Sequence, residues 1–521
     1  MIEKIIIFAL ITLTVNSLSE KDFSIKAVYE TTEPNQNITL FRSRSCDITK
    51  LNIDGEFVEI IKDERDNAFY LFDNKGYHTV YFSIDFSKCK RLSSMFYYNE
   101  NLISIKFLDE FKGKKITSFS SLFEGCFNLN SLDISNLNTE YAEDMSSMFS
   151  NCRKLTSIDL SNFNTKNVKR MDWMFVECSS LKSIDLSKFD TSSVTKIDKM
   201  FWYSVSLTSL DISHFDLSKI TSFWQVFDSC QSLVSIKLPK FKKGTDIETY
   251  YMFHDCKSLT SIDLSNFNIN LKGDSCHMFG GCESLTSIDL SAITSNENDN
   301  LQEMFSGCKS LKTIDISHFN ISKTRCFYGM FRNCKSLTSI KLPKTKIPIL
   351  ENLSEMFLGC ELLTSIDLPI FNTKSRLLTM QRVFSGCKSL TSLDLSSLNT
   401  ELAQNMDELF SGCKSLAYLD ISNFSTQNVI SMNNMFYGCE SLSSLSLHNF
   451  DTRKVIRMSY MLYKCTSLKY LDISSFSKPP STLSINYFMS NVEGLLKVKK
   501  EFYNELIKNN NIDKWQIQFA N

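Results

Sequence analysis

CKSLTSIDLSNFN, residues Cys256 to Asn268, is one of many near-copies in this chain. CRKLTSIDLSNFN fills Cys152 to Asn164, and CKSLTSLDLSSLN begins at Cys387. Aligned on the leading cysteine, the copies start at 126, 152, 178, 230, 256, 282, 308, 334, 360, 387, 413, 439 and 465. The spacing is 26, with a double step of 52 between 178 and 230 and one of 27 between 360 and 387. Ser204 stands at the middle of the double step, and Asn99 lies one turn ahead of Cys126. A fixed period of this size is the mark of a stacked-turn array, which can be far longer than an ordinary domain.

Each turn reads C-x-x-L-x-x-I-x-L-x-x-F-x-T-x-x-V-x-x-M-x-x-M-F. Ile158 and Leu160 are two apart and share one face of a strand, which leaves Ser157, Asp159 and Ser161 on the other. Val168, Met171, Met174 and Phe175 then follow at i, i+3, i+6 and i+7, a spacing that predicts a short helical turn with Thr165 as its N-cap. The expected fold is a repeat solenoid of about 15 turns. It has one parallel β-sheet on a concave face, short helical turns opposite, and a cap at each end.

This unit resembles the BspA-like leucine-rich repeats of bacterial and protist surface proteins, over roughly Val80 to Trp515. YLFDNKGYHTVYFSIDFSKCKRLSSMF, from Tyr70 to Phe96, resembles the entry cap of such proteins, and GLLKVKKEFYNELIKNNNIDKWQIQ resembles their exit cap. The resemblance implies secretion or surface display, adhesion to host cells or matrix, and no catalysis.

The ends depart from the repeat. MIEKIIIFALITLTVNSLSEKDF has one early lysine, an apolar run from Ile5 to Val15 and small residues after it, the pattern of a secretory signal peptide. Beyond it no apolar run is long enough to span a bilayer. Alternation in FSIKAVY and an Asp54-Gly55 turn predict a small β-rich domain. The expected organisation is a signal peptide at 1–19, a β-rich cap at 20–78, the solenoid at 79–478 and a C-terminal cap at 479–521, opened by Pro479-Pro480. Cys46 and Cys89 flank the first cap, where a small exported domain needs a staple, and are expected to form a disulfide.

Stacking turns every repeat position into a column. The cysteine column is a line, which does not make a tetrahedral metal site, and no histidine recurs beside it to serve as a base. It reads as a row of small core residues whose thiols stay reduced. Asp133, Asp159, Asp185, Asp211, Asp263, Asp289, Asp315, Asp367, Asp394, Asp420 and Asp472 form a second column on the open strand face, interrupted by Lys106, Lys237 and Lys341 and replaced once by Ser446. Stacked carboxylates repel. Either the flanking serines and water offset that, or a cation does, and no D-x-D-x-D-G loop marks a dedicated calcium site. Tyr418 and Tyr470 replace the common serine near the C-terminal end, with His448 in an adjacent column. Asp394, Tyr418, Asp420, His448, Tyr470 and Asp472 are therefore the expected ligand-contacting set. Asn37, Asn320, Asn352 and Asn423 head N-x-S/T sequons and are possible glycosylation sites.

A net charge of -1 gives no electrostatic footprint for nucleic acid. No nucleophile, acid and base converge in the sequence, and no cofactor motif occurs. The function expected is a non-enzymatic extracellular adhesin, secreted or at the cell surface, whose partners are proteins or glycans of a host surface or matrix. The alternative is a structural coat or matrix protein whose face contacts copies of itself.

Overall fold

Where the backbone amides go decides how each turn closes. In the computed structural model, which describes residues 19–42, 46–347, 349–368, 377–477 and 483–520, the amides of the M-x-x-M-F segment point in two directions. Met145, Ser147, Phe149 and Asn151 donate to the carbonyls of Arg170, Asp172, Met174 and Val176 on the next turn. The intervening amides of Met148, Ser150 and Cys152 close tight turns onto Met145, Ser147 and Phe149. Ser147 and Asn151 sit at φ 55° and 62°, in the left-handed region.

The expected helical turns therefore do not form. A left-handed residue every fourth position reverses the helical sense, and the amides a helix would use are spent between turns. The result is a parallel β-solenoid, and among the described residues the one α-helix is α1 (Lys500–Asn509), outside the repeats. The strand-face sheet is also intermittent. It appears as short three-residue pairings, while single parallel bridges such as Asp144↔Arg170 link the opposite wall.

The contacts divide the chain into two units, Met1–Ser222 with Ser229–Lys240, and Phe223–Asp228 with Phe241–Asn521. The first opens with β1 (Ile25–Thr31), β2 (Gln36–Arg42), β3 (Asp47–Ile53), β4 (Glu56–Phe57), β5 (Ile61–Lys62), β6 (Asn67–Phe72) and β7 (Gly76–Asp85). β8 (Leu102–Phe107) is the first solenoid strand. It pairs antiparallel with β1 and parallel with β9 (Ser131–Asp133), so one sheet, ordered β4-β3-β7-β1-β8-β9, carries the N-terminal domain into the repeats. Cys46 and Cys89 are joined in a disulfide, Cα to Cα 4.6 Å, beside this junction. β10 (Ser209–Asp211) and β11 (Ser235–Lys237) pair later in the same unit.

In the second unit β12 (Thr245–Ile247), β13 (Ile269–Asp274) and β14 (Thr294–Asn300) form a parallel sheet where the sequence loses its T-x-x-V element. β15 (Thr313–Asp315) pairs with β16 (Ser339–Lys341). β17 (Ser444–Ser446), β18 (Tyr470–Ile473), β19 (Gly494–Lys499) and β20 (Trp515–Ala520) make a final four-stranded parallel sheet, with α1 crossing between the last two. Phe502 of α1 is fully buried, its ring 5.2 Å from Phe476 and 6.1 Å from Phe488, so it closes the core. The apolar leader, apart from Ser19, and Pro479-Pro480 lie outside the described residues.

Two ladders fill the interior. Phe96, Phe123, Phe149, Phe175 and Phe201 stack face to face in the first unit, at centroid spacings of 5.4 to 5.9 Å. In the second unit Phe227 stacks on Phe253, and Phe331 within the same stack lies 5.8 Å from both Phe305 and Phe357. That stack ends at Phe436, because the next turn has Leu462 in the slot. Beside the rings runs the cysteine ladder. Each thiol donates to the phenylalanine carbonyl of the preceding turn, as Cys308 does to Phe279 at 3.2 Å. Ser204 fills the same slot and donates to Phe175 at 2.7 Å, which explains why serine is accepted there. Asn99, with no repeat before it, reaches instead to the carbonyls of Thr39 and Leu40 in β2.

Candidate functional site

The strand face is built by one recurring contact. Apart from Asp367, which has Pro369 two residues on and so no amide to accept, the column aspartates accept the amide two residues on, as Asp263 accepts Ser265 at 2.9 Å and Asp394 accepts Ser396 at 2.9 Å. This Asx turn ends the strand. The amide and side chain of Ser396 hold Asp394 below the ordinary carboxylate range, and Ser422 does the same for Asp420. At both positions the turn that ends the strand thus favours the ionised carboxylate.

The lysines that interrupt the column neutralise it. Lys237 lies 2.8 Å from Asp211, Lys341 lies 3.0 Å from Asp315, and Lys106 lies 3.7 Å from Asp133. Lys237 and the Ser213 side chain bring Asp211 down to about 2, and Ser317 with Lys341 does so for Asp315. Lys344 adds a partner for Asp367 at 3.6 Å. Among the described residues, no group of three or more His, Cys, Asp or Glu is arranged to hold a metal ion.

Of the six residues expected to contact a ligand, three come together. Asp394, Tyr418 and Asp420 line a shallow depression of about 450 Å³, with Asp367, Ser365 and Thr391 also on its wall. Tyr418 is 67% exposed. His448 is exposed one turn further on, its Nδ1 hydrogen-bonded to Ser446 at 2.9 Å.

Tyr470 and Asp472 do not join them, and for these two the open-face expectation is corrected. β19 lies alongside β18, pairing Tyr470 with Leu495 and Asp472 with Lys497. Asp472 is only 5% exposed, with Lys497 Nζ at 3.3 Å, and Tyr470 is half-buried. Asn423, at one of the sequons, is exposed, and its amide nitrogen donates to the carbonyls of Leu395 and Leu398 on the previous turn. Asn37 and Asn320 are exposed, and Asn352 lies half-buried in the bridge ladder.

The opposite wall, assigned to helical turns from the sequence, carries the more varied chemistry. Its left-handed positions hold Trp173, Lys199, Tyr251, His277, Arg382 and Tyr460, among others. Lys199 Nζ lies over the rings of Trp173 and Trp202 at 4.2 and 4.7 Å. His254 bonds Asp228 at 3.0 Å, and His277 stacks on Tyr251 at 4.2 Å. Burial, with His254 beside it, brings His277 down to about 4, so that ring is neutral at physiological pH. The G-C dipeptides could have revealed part of this wall, since Gly281, Gly307, Gly359, Gly386, Gly412 and Gly438 all have positive φ just before a ladder cysteine.

A family model described as "Mycoplasma protein of unknown function, DUF285" matches residues 71–184, 153–266, 245–366, 351–476 and 378–515. The chain belongs to this family. The overlapping DUF285 matches run from the N-terminal sheet through the whole repeat array to β20, so both the Tyr418 depression and the opposite wall are built from DUF285 repeats. The chain is a repeat protein of the leucine-rich-repeat type. No curated protein matches it. Among solved structures it is similar to a chain of the TLR13–ssRNA13 complex, with 16% identity, coverage of 77% of this chain and 68% of that one, and a TM-score of 0.22. It is also similar to a leucine-rich-repeat protein of Leptospira interrogans, with 14% identity, coverage of 66% and 96%, and a TM-score of 0.19.

Proposed function

We propose that this chain is a non-enzymatic extracellular binding protein, an adhesin of the BspA-like kind, whose strand face docks a protein of a host surface or matrix. One observation carries the reading. At Asp394 and Asp420 the carboxylates are ionised and exposed, their stabilisation comes from Ser396 and Ser422, and Tyr418 stands out between them. A largely exposed tyrosine beside Asp394 and Asp420, which have no basic partner among the described residues, suits a partner that presents lysine or arginine around an apolar contact, since aromatic anchors dominate interface energetics. The apolar leader in the sequence and the Cys46–Cys89 disulfide support an oxidising, exported setting.

The test is surface plasmon resonance of the chain from Ser19 onward against a panel of matrix and cell-surface proteins, with and without calcium. A saturable partner is expected, bound at least about tenfold more weakly by Tyr418→Ala and more weakly as salt rises. A partner indifferent to both changes would place the contact elsewhere. The coat reading has one observation in its favour: among the described residues β20 pairs on one side only, with Phe519 half-exposed. Concentration-dependent oligomers on sizing would select it.

A further inference from the structure

The wall opposite the strand face holds a second aromatic feature, independent of Tyr418. Near the C-terminal end Tyr437, Tyr460, Tyr463 and Tyr487 occupy neighbouring slots on successive turns. Tyr460 and Tyr487 are stacked at 5.1 Å with their planes 17° apart, and Tyr463 meets both edge-on at 5.8 and 5.9 Å. Exposure rises toward the end of the ladder, from 36% at Tyr460 to 55% at Tyr487.

The ladder stops there for a visible reason. Tyr460 and Leu462 donate their amides to Asn486 and Phe488 on the next turn, but Phe488 donates to the side chain of Asn510. The loop after α1 has taken the place of a further repeat. Among the described residues, no ring covers the second side of Tyr487. Instead a depression of about 410 Å³ opens, lined by Tyr463, Tyr487, Lys464, Ser490, Asn491 and Asn511 among others.

We propose that this depression binds a β-1,4-linked oligosaccharide of glucose or N-acetylglucosamine type, stacked on Tyr487. Three features select that chemistry. An aromatic ring with an uncovered face and a polar edge matches the axial C–H face of a pyranose whose hydroxyls are all equatorial. Polar groups stand at the rim: the hydroxyls of Tyr463 and Tyr487 and the Nδ2 of Asn511 make no hydrogen bond among the described residues, while the Lys464 ammonium is turned over the Tyr437 ring at 5.2 Å. The remaining amides are fixed, since Asn491 donates to Asn511 at 3.0 Å and accepts the Lys514 amide at 3.1 Å, so the rim is held in place before ligand arrives. No carboxylate lines the depression, so nothing there favours a basic peptide, the partner proposed for the other face.

Isothermal titration of the full chain with cellotetraose and with chitotetraose tests this, with maltotetraose, whose α-linkages curve the chain away from a flat platform, as the control. At least one β-linked probe is expected to bind while maltotetraose does not. Tyr487→Ala should weaken binding about tenfold or more, whereas Tyr487→Phe, which keeps the ring, should lose no more than a few-fold. Tyr418→Ala should leave saccharide binding unchanged, which separates this site from the protein-docking face. Absence of heat with both β-linked probes at about 10 mM, or binding that survives Tyr487→Ala in a protein with an unaltered circular dichroism spectrum, would overturn the proposal.

Discussion

Replacing Phe331 by leucine isolates what the phenylalanine stack contributes. Phe331 is fully buried, with Phe305 and Phe357 each at 5.8 Å and nearly parallel, at 1° and 8°. Phe436 is equally buried but has one stacked neighbour, Phe410 at 5.5 Å. Leucine keeps most of the apolar bulk at either site, so the change in burial is shared and the ring contacts differ. Each aromatic pair is worth about 0.5–1.5 kcal/mol beyond burial. Phe331→Leu therefore forfeits about 1–3 kcal/mol of stacking and Phe436→Leu about half of that. Hydrogen exchange reads this locally: the amide of Cys334 closes its turn onto the Phe331 carbonyl and that of Cys439 onto Phe436, and each reports opening of its own turn. Protection should fall roughly twice as far, in free energy, for Phe331→Leu. Equal losses at the two sites would show that the rings act as plain apolar filler and that stacking adds nothing.

Other outcomes follow from the same geometry. Burial pushes the thiols of Cys178, Cys308, Cys387 and Cys465 up to about 12, so iodoacetamide at pH 8 should leave the ladder unlabelled in native protein and label it fully after urea unfolding, as counted by mass spectrometry. Ser204→Cys should leave stability within about 1 kcal/mol of the parent, because the slot already accepts both side chains, and thermal denaturation checks it. Asp211 and Asp315 are depressed in the folded state, so their stabilisation is complete above the unfolded carboxylate value and is lost as pH falls toward about 2. In carboxyl-detected NMR titrations, Lys341→Met should move the Asp315 midpoint upward while leaving that of Asp211 in place. Expression in a glycosylating host should give glycan at Asn37 or Asn320 and none at Asn423, read by mass spectrometry after enzymatic release.

The period was legible because cysteine occupies a slot that tolerates little else. A small side chain that donates to the carbonyl one turn back is required, and cysteine and serine meet that need. The M-x-x-M-F segment misled because spacing at i, i+3, i+6 and i+7 fits two objects: an amphipathic helix, and a run of turns whose every fourth residue is left-handed. Apolar periodicity reports which residues face inward and is silent on where their amides go. The left-handed positions are further disguised because Trp173, Lys199, Tyr251 and Tyr460 hold them where glycine would have announced them. On the strand face Tyr418 was legible as an outlier in a serine column. Asp472 was misjudged because its burial comes from β19, a strand outside the repeat pattern.

The turn-to-turn hydrogen bonding has a consequence for how such a gene can change. Because the amides of Met145, Ser147 and Phe149 find their acceptors one period away, an insertion of a whole period supplies its own donors and acceptors and leaves every other rung in register. One extra residue is absorbed as well, since across the 27-residue step from Cys360 to Cys387 Phe357 still stacks on Phe384 at 5.9 Å and Cys387 still donates to the Phe357 carbonyl. The molecule can therefore be lengthened or shortened in steps of about one period, with Tyr418 and Tyr487 carried along as fixed addresses counted from the C-terminal end.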